Sequence, residues 1–222
     1  VNYQSGNNFS VNNNAYVKIG VQNGSKAWYL DQNNAHSPIR ITPGNDYNGS
    51  PRIHLSASDN SFNPAVSEVN RPIFQGGLLD FAAAFDQLRA NALAMSACPD
   101  NAVIYDPDDH SNTPLATRTG LPSKINIQLK PGINVLNLNG SDLNSVNTFT
   151  YLNQPSPTHV LIVNVNAPGS FNWNVWTSSA FGGTSNCRYI LYNFYNTTNL
   201  TIQGNGAVEG TVFAPFAGVT KT

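Results

Sequence analysis

From residue 124 onward, apolar and polar residues alternate in short runs, and this alternation limits the fold more than any other feature. Ile125-Asn126-Ile127-Gln128-Leu129 places its apolar residues two apart, on one face of an extended strand. Ile133-Asn134-Val135-Leu136-Asn137-Leu138, which follows Lys130-Pro131-Gly132, behaves in much the same way. Further runs are His159–Val165, Phe171–Trp176, Arg188–Phe194, Leu200–Ile202 and Gly210–Ala214. Asn and Gly turns separate them, which suits a sandwich, a barrel or a solenoid. No strict repeat period is visible, so periodicity alone does not choose among these.

The first 70 residues are more polar, with strand-like stretches at Ala15–Val21, Ala27–Leu30, Ile39–Ile41 and Arg52–Leu55 and a turn cluster at Pro43-Gly44-Asn45-Asp46. One segment breaks the pattern. Between Gly77 and Met95, the residues Leu78, Phe81, Ala82, Phe85, Leu88, Ala92 and Met95 recur at helical spacing, and Ala is concentrated there. Gly76-Gly77 before it and Cys98-Pro99-Asp100 after it bound one long helix over about 77–97, with an apolar stripe that needs a sheet to cover it. Residues 99–123 read as loop, punctuated by Pro99, Pro107, Pro114 and Pro122. A chain of 222 residues with this pattern reads as a single domain over 1–222, with 1–24 as an exchangeable N-terminal strand region.

Charge narrows the function. Only 10% of the residues are Asp, Glu, Lys or Arg and the net charge is −1, where soluble domains carry roughly 25% charged residues. The sequence therefore has no basic footprint for nucleic acid and no polybasic patch for a membrane surface. Asn, Ser and Thr must supply the solubility, a composition commoner outside the cell than inside it. No apolar run approaches the ~18 residues of a membrane span, and no signal peptide is visible at Val1, which fits a trimmed form of an exported protein.

Asn-X-Ser/Thr sequons stand at Asn8, Asn23, Asn48, Asn139, Asn196 and Asn199, and are glycan acceptors if the chain passes through a eukaryotic secretory pathway. Cys98 and Cys187 are an even pair in a Cys-poor chain, the arrangement of a single disulfide. Such a bond would close a loop of about 90 residues and stabilise by roughly 4–5 kcal/mol in the chain-entropy account. Two buried free thiols are the alternative.

Near the C-terminal end, Tyr189–Ile202 forms an apolar strand ending in Asn193-Phe194 and then a Thr-rich strand. Glu209-Gly210-Thr211-Val212-Phe213-Ala214-Pro215-Phe216-Ala217 follows. This order resembles the C-terminal signature of the choice-of-anchor A family, as do Val160–Val165, Phe171-Asn172-Trp173 and Asp80–Phe85, so that the likeness covers roughly residues 70–220. The helix followed by strands and a Gly-Thr-apolar-Ala turn also resembles the ice-binding β-solenoid family. Those resemblances imply a mainly β, right-handed β-solenoid with the helix packed alongside, and an exported, adhesin-like role. Physically the signature reads as structural: Gly210 permits a close backbone approach and Pro215 marks a strand end.

Candidate chemistry is sparse. Asp106-Pro107-Asp108-Asp109-His110 is the densest acidic cluster, and Asp106, Asp108 and Asp109 offer hard oxygen ligands for calcium, although a solvated Pro-Asp turn explains them as well. His36, His54, His110 and His159 lack metal-ligand spacing, and Glu68 and Glu209 are the only glutamates. Nucleophile, metal and phosphate-loop motifs are missing from the sequence, so no catalytic residue and no cofactor is expected. Trp28, Trp173 and Trp176, with Tyr189, Tyr192 and Tyr195, are candidates for stacking on sugars or an adhesive patch, or for core packing. The sequence thus supports a non-enzymatic extracellular module that binds a surface ligand or its own copies, the latter through strand addition by residues 1–24. Ice binding and carbohydrate binding are the alternatives.

Overall fold

The computed structural model describes residues 8–11, 24–29, 39–49, 53–57, 77, 80–175, 177–204 and 206–222. The chain divides into two compact units, Val1–Asp80 and Phe81–Thr222.

In the first unit, β1 (Asn8–Val11), β2 (Lys26–Tyr29), β3 (Ile39–Thr42) and β4 (Ile53–Ala57) form a sheet in the order β1-β4-β3-β2. The last three of these fall where alternation placed them. β2, β3 and β4 pair antiparallel, with Ala27 opposite Ile41 and Ile41 opposite Ile53. β1 lies at the edge, parallel to β4, with Phe9 opposite Leu55. After β3 the chain turns at the expected Pro43–Asp46, where the Thr42 hydroxyl donates to the Gly44 carbonyl at 3.0 Å. The expected strand at Ala15–Val21, together with Asn23, His36, Glu68 and Trp176, lies outside the described residues.

The second unit begins with helix α1 (Phe81–Ser96) and continues through β5 (Val103–Tyr105), β6 (Lys124–Gln128), β7 (Gly132–Asn139), helix α2 (Gly140–Ser145) and β8 (Thr148–Tyr151). Then come β9 (His159–Asn166), β10 (Gly169–Asn174), β11 (Thr177–Ser179), a 3₁₀ helix (Thr184–Tyr189), β12 (Ile190–Asn193), β13 (Thr197–Gln203), β14 (Thr211–Phe213) and β15 (Gly218–Lys221). They assemble into three sheets, ordered β14-β12-β9-β7, β10-β13-β15 and β11-β8-β6-β5. Every pairing in them is parallel except β5 with β6.

This arrangement corrects the expected fold. The described strands make separate parallel and mixed sheets with no closed solenoid, and antiparallel β5 ends its sheet beside β6. The helices are short, and α1 is a four-turn element, not a rod over 77–97. Gly77 adopts φ 74° in a turn that stops the helix from starting there. At the other end, Pro99 disfavours helical geometry at Cys98.

One continuous core fills the second unit, fed by all three sheets. Ile125 and Ile127 enter from β6, Leu136 and Leu138 from β7, Leu161 and Val163 from β9, Ile190 from β12 and Leu200 from β13. Each such side chain contributes about 1.5–3 kcal/mol by leaving water. Trp173 points inward, its ring 4.8 Å from that of Tyr192 and 5.3 Å from that of Phe194. It packs the core and is not available to stack on a sugar.

Candidate functional site

Asparagine, not apolar packing, holds α1 to the second unit. Of the helix residues only Ala92 is buried, while Phe81, Phe85 and Leu88 remain 64%, 46% and 38% exposed. Beneath the C-terminal half of the helix, parallel pairing brings Asn137 of β7, Asn164 of β9 and Asn193 of β12 side by side. The Asn193 amide donates to Asn164 Oδ1 at 2.8 Å, and that of Asn164 donates to Asn137 Oδ1 at 2.8 Å. The same amides also donate upward: Asn193 to the Ala92 carbonyl at 2.9 Å, Asn164 to Met95 at 2.8 Å and Asn137 to Cys98 at 3.1 Å. Intrahelical donors run out over the last turn of a helix, and the ladder adds donors there and just beyond; Met95 also accepts from the Cys98 amide at 3.1 Å. Where the ladder ends, Asn193 Oδ1 is buried without a partner, because Phe213 of β14 occupies the next position. In the other half of the helix, Arg89 donates to the Pro215 carbonyl at 3.3 Å and lies 5.8 Å from the Phe216 ring.

A second, more exposed amide row runs beside the first. Asn196 donates to Asn166 at 2.7 Å and Asn166 to Asn139 at 3.3 Å. Among the sequons, Asn139 and Asn196 are tied into this row, and Asn48, Asn139 and Asn199 are exposed, Asn199 donating to Ser170 Oγ at 3.3 Å. Asn8 lies in β1, with its side chain outside the described residues.

The sheet β10-β13-β15 carries uncharged polar ranks on its outward face. Ser170, Asn199 and Gly218 are in register, then Asn172, Thr201 and Thr220, then Asn174 and Gln203. Their neighbours Phe171, Trp173, Leu200 and Ile202 point to the core side. Within a rank the strands stand about 4.8 Å apart, and successive ranks are about 6.6 Å apart along the strand. Gln203 donates to Asn174 at 2.6 Å, which fixes two of these amides against each other.

The expected disulfide is corrected: Cys98 and Cys187 are free thiols. Cys98 ends the helix region, its Sγ facing the Ala94 carbonyl at 3.6 Å. Cys187, in the 3₁₀ helix, donates to Glu209 Oε2 at 3.0 Å. Burial, and then the Glu209 carboxylate, push the Cys187 thiol up to about 11. Nearby, burial among Tyr192, Cys187 and Glu209 holds the Tyr151 hydroxyl well above its ordinary range. Such groups stay protonated at neutral pH and are poorly suited to nucleophilic work.

Asp106, Asp108 and Asp109 shape a turn. Asp106 accepts from the Asp108 amide at 2.9 Å, and Asp109 accepts from the Ser111 amide and hydroxyl, each at 2.9 Å. Those bonds lower the Asp109 pKa, the backbone donor most. Among the described residues, no group of three His, Cys, Asp or Glu is placed to hold a metal ion. His159 lies against Ser156 and Thr158 at 3.2 and 3.1 Å, and His110 is exposed. No described helix is long and apolar enough to cross a membrane.

Fold and surface together define a mainly β module whose outer sheet faces carry ordered amides and hydroxyls. A family profile described as "Putative Ice-binding-like adhesive domain" matches residues 1–222, and the chain belongs to that family. The match does not show the choice-of-anchor A family that residues 70–220 resemble; the likeness to ice-binding proteins is the one it supports. No curated protein and no solved structure matches the chain.

Proposed function

We propose that the chain is a non-enzymatic adhesion module of an extracellular or cell-surface protein, which presents ordered sheet faces to a partner surface. The observation that carries this reading is the outward face of β10-β13-β15, where Ser, Asn and Thr stand in register without a charged side chain in the three ranks. Rigid, uncharged donors and acceptors bind hydroxylated or amide-rich surfaces with little ordering cost. Membership in an adhesive-domain family supports the role and the location. Beads coated with the protein test it under flow on mannan, chitin, cellulose and a surface coated with the same protein. Retention on at least one surface, weakened by Asn172→Asp with Thr201→Asp, is expected. Beads that wash off every surface count against the reading.

Ice binding is a second reading, favoured by the adjacent Thr201 and Thr220 in one rank and by the family's description. It requires thermal hysteresis that falls when Thr201 is replaced by Lys; a freezing curve identical to that of a non-binding control removes it. Self-association is a third reading of the partner surface, with β1 as the exchanged strand. β1 is at a sheet edge, and its other edge is the place where a neighbouring copy's strand would add.

A further inference from the structure

The turn of Asp106–Asn112 and the outward face of β5 and β6 enclose an open groove of about 420 Å³, within the usual range for small-ligand sites. One wall is the rank Tyr105 and Asn126, with Gln128 beside them. The Tyr105 hydroxyl donates to Gln128 Oε1 at 2.9 Å, which aims the Gln128 amide and leaves its NH₂ to donate to a ligand. The other wall is the turn, which brings His110 and Asn112 to the groove; Asn112 adopts the left-handed φ of 54°. Leu152, 53% exposed, supplies an apolar patch.

From this lining we infer that the groove is a saccharide-binding subsite for neutral sugars. The inference rests on the adhesion reading and names one ligand class for it. A pyranose offers hydroxyls that both donate and accept, and C–H faces that pack on apolar surface. Asn126, Gln128, Asn112 and His110 provide donors, the Asp106 carboxylate provides an acceptor, and Leu152 and the Tyr105 ring provide the platform. Other ligands fit less well. Three carboxylates in the turn disfavour an anion. An added peptide strand meets an edge already in use, since the Leu115 amide donates to the Ile104 carbonyl of β5 at 2.8 Å. Internal bonds hold the turn before any ligand arrives: the Asp109 amide donates to the Asp106 carbonyl at 3.3 Å, and Thr113 donates to Ser111 Oγ at 3.1 Å.

A glycan array carrying neutral and acidic oligosaccharides, probed with the full chain, tests the inference. Gln128→Ala and Asn126→Ala are compared with the sheet-face pair Asn172→Asp and Thr201→Asp, after melting curves confirm folding. Neutral glycans are expected to bind, with affinity reduced at least tenfold by each groove substitution and unchanged by the sheet-face pair. An array without neutral binders, a preference for acidic glycans, or binding indifferent to Gln128→Ala and Asn126→Ala overturns it. Beads that adhere under flow while the array stays empty defeat this inference alone. Glycan binding by a chain whose beads never adhere defeats the adhesion reading alone.

Discussion

Replacing Asn164 by Ala should loosen α1 from its sheet. The side chain is 2% exposed and makes three contacts of 2.8 Å: it donates to Met95 and Asn137 and accepts from Asn193. Each net bond is worth about 1 kcal/mol, and a buried group left unpaired costs about 1–3 kcal/mol. Partial relaxation of the neighbours sets the expected loss at about 3 kcal/mol. For a unit of this size the melting temperature then falls by about 10 °C. Asn166→Ala is the matched control, because its amide row is exposed and its bonds compete with water. It should lose less than about 1 kcal/mol. Urea unfolding, read by tryptophan fluorescence to which the buried Trp173 contributes, gives both values. Hydrogen exchange over Phe81–Ser96 reports whether the helix itself opens. The reasoning is refuted if Asn164→Ala matches the control in stability and the helix amides keep their protection.

Gly210→Ala should destabilise the second unit by about 1–3 kcal/mol, since a Cβ there would stand 2.8 Å from the Tyr192 ring and 3.1 Å from the Ile190 carbonyl; thermal melts check it. At neutral pH, iodoacetamide should modify exposed Cys98 well before Cys187, as peptide mass spectrometry can read out. The folded state holds the Cys187 proton more tightly than the unfolded chain does. Stability from this thiol is therefore complete below its ordinary value of 9.0 and declines as pH rises toward about 11; urea midpoints at pH 8 and pH 11 should differ in that direction. Deleting residues 1–24 removes β1, so any concentration-dependent oligomer seen by light scattering should disappear if that strand is exchanged.

Much of the strand content was legible because alternation is local. Ile125, Ile127 and Leu129 are buried as the period-two pattern requires, and Gly210 does approach other groups closely. The helix was legible as a helix but misleading as a packing element. Its apolar stripe implied burial, whereas long-range Asn donors dock it and leave Phe81 and Phe85 in water. Those donors were hidden because the paired amides lie 27 and 29 residues apart in one row and 27 and 30 in the other. Unequal connections blur the period, and a bulge at Gly169 and Ser170 shifts the register once more. The recurring Asn-X-Asn of Asn137–Asn139 and Asn164–Asn166 was the available signal. Cysteine parity misled for a different reason: an even count says nothing about whether two thiols meet. The groove at Tyr105 was invisible because it joins β6 to a segment that composition marks only as loop.

Bead retention under flow, comparing the unaltered chain with the Asn172→Asp and Thr201→Asp pair, bears most directly on the idea that an ordered uncharged face grips a surface. Firm attachment to at least one of the hydroxylated or self-coated surfaces, weakened when two carboxylates are placed in that face, is the expected result. Equal attachment by both proteins would contradict it.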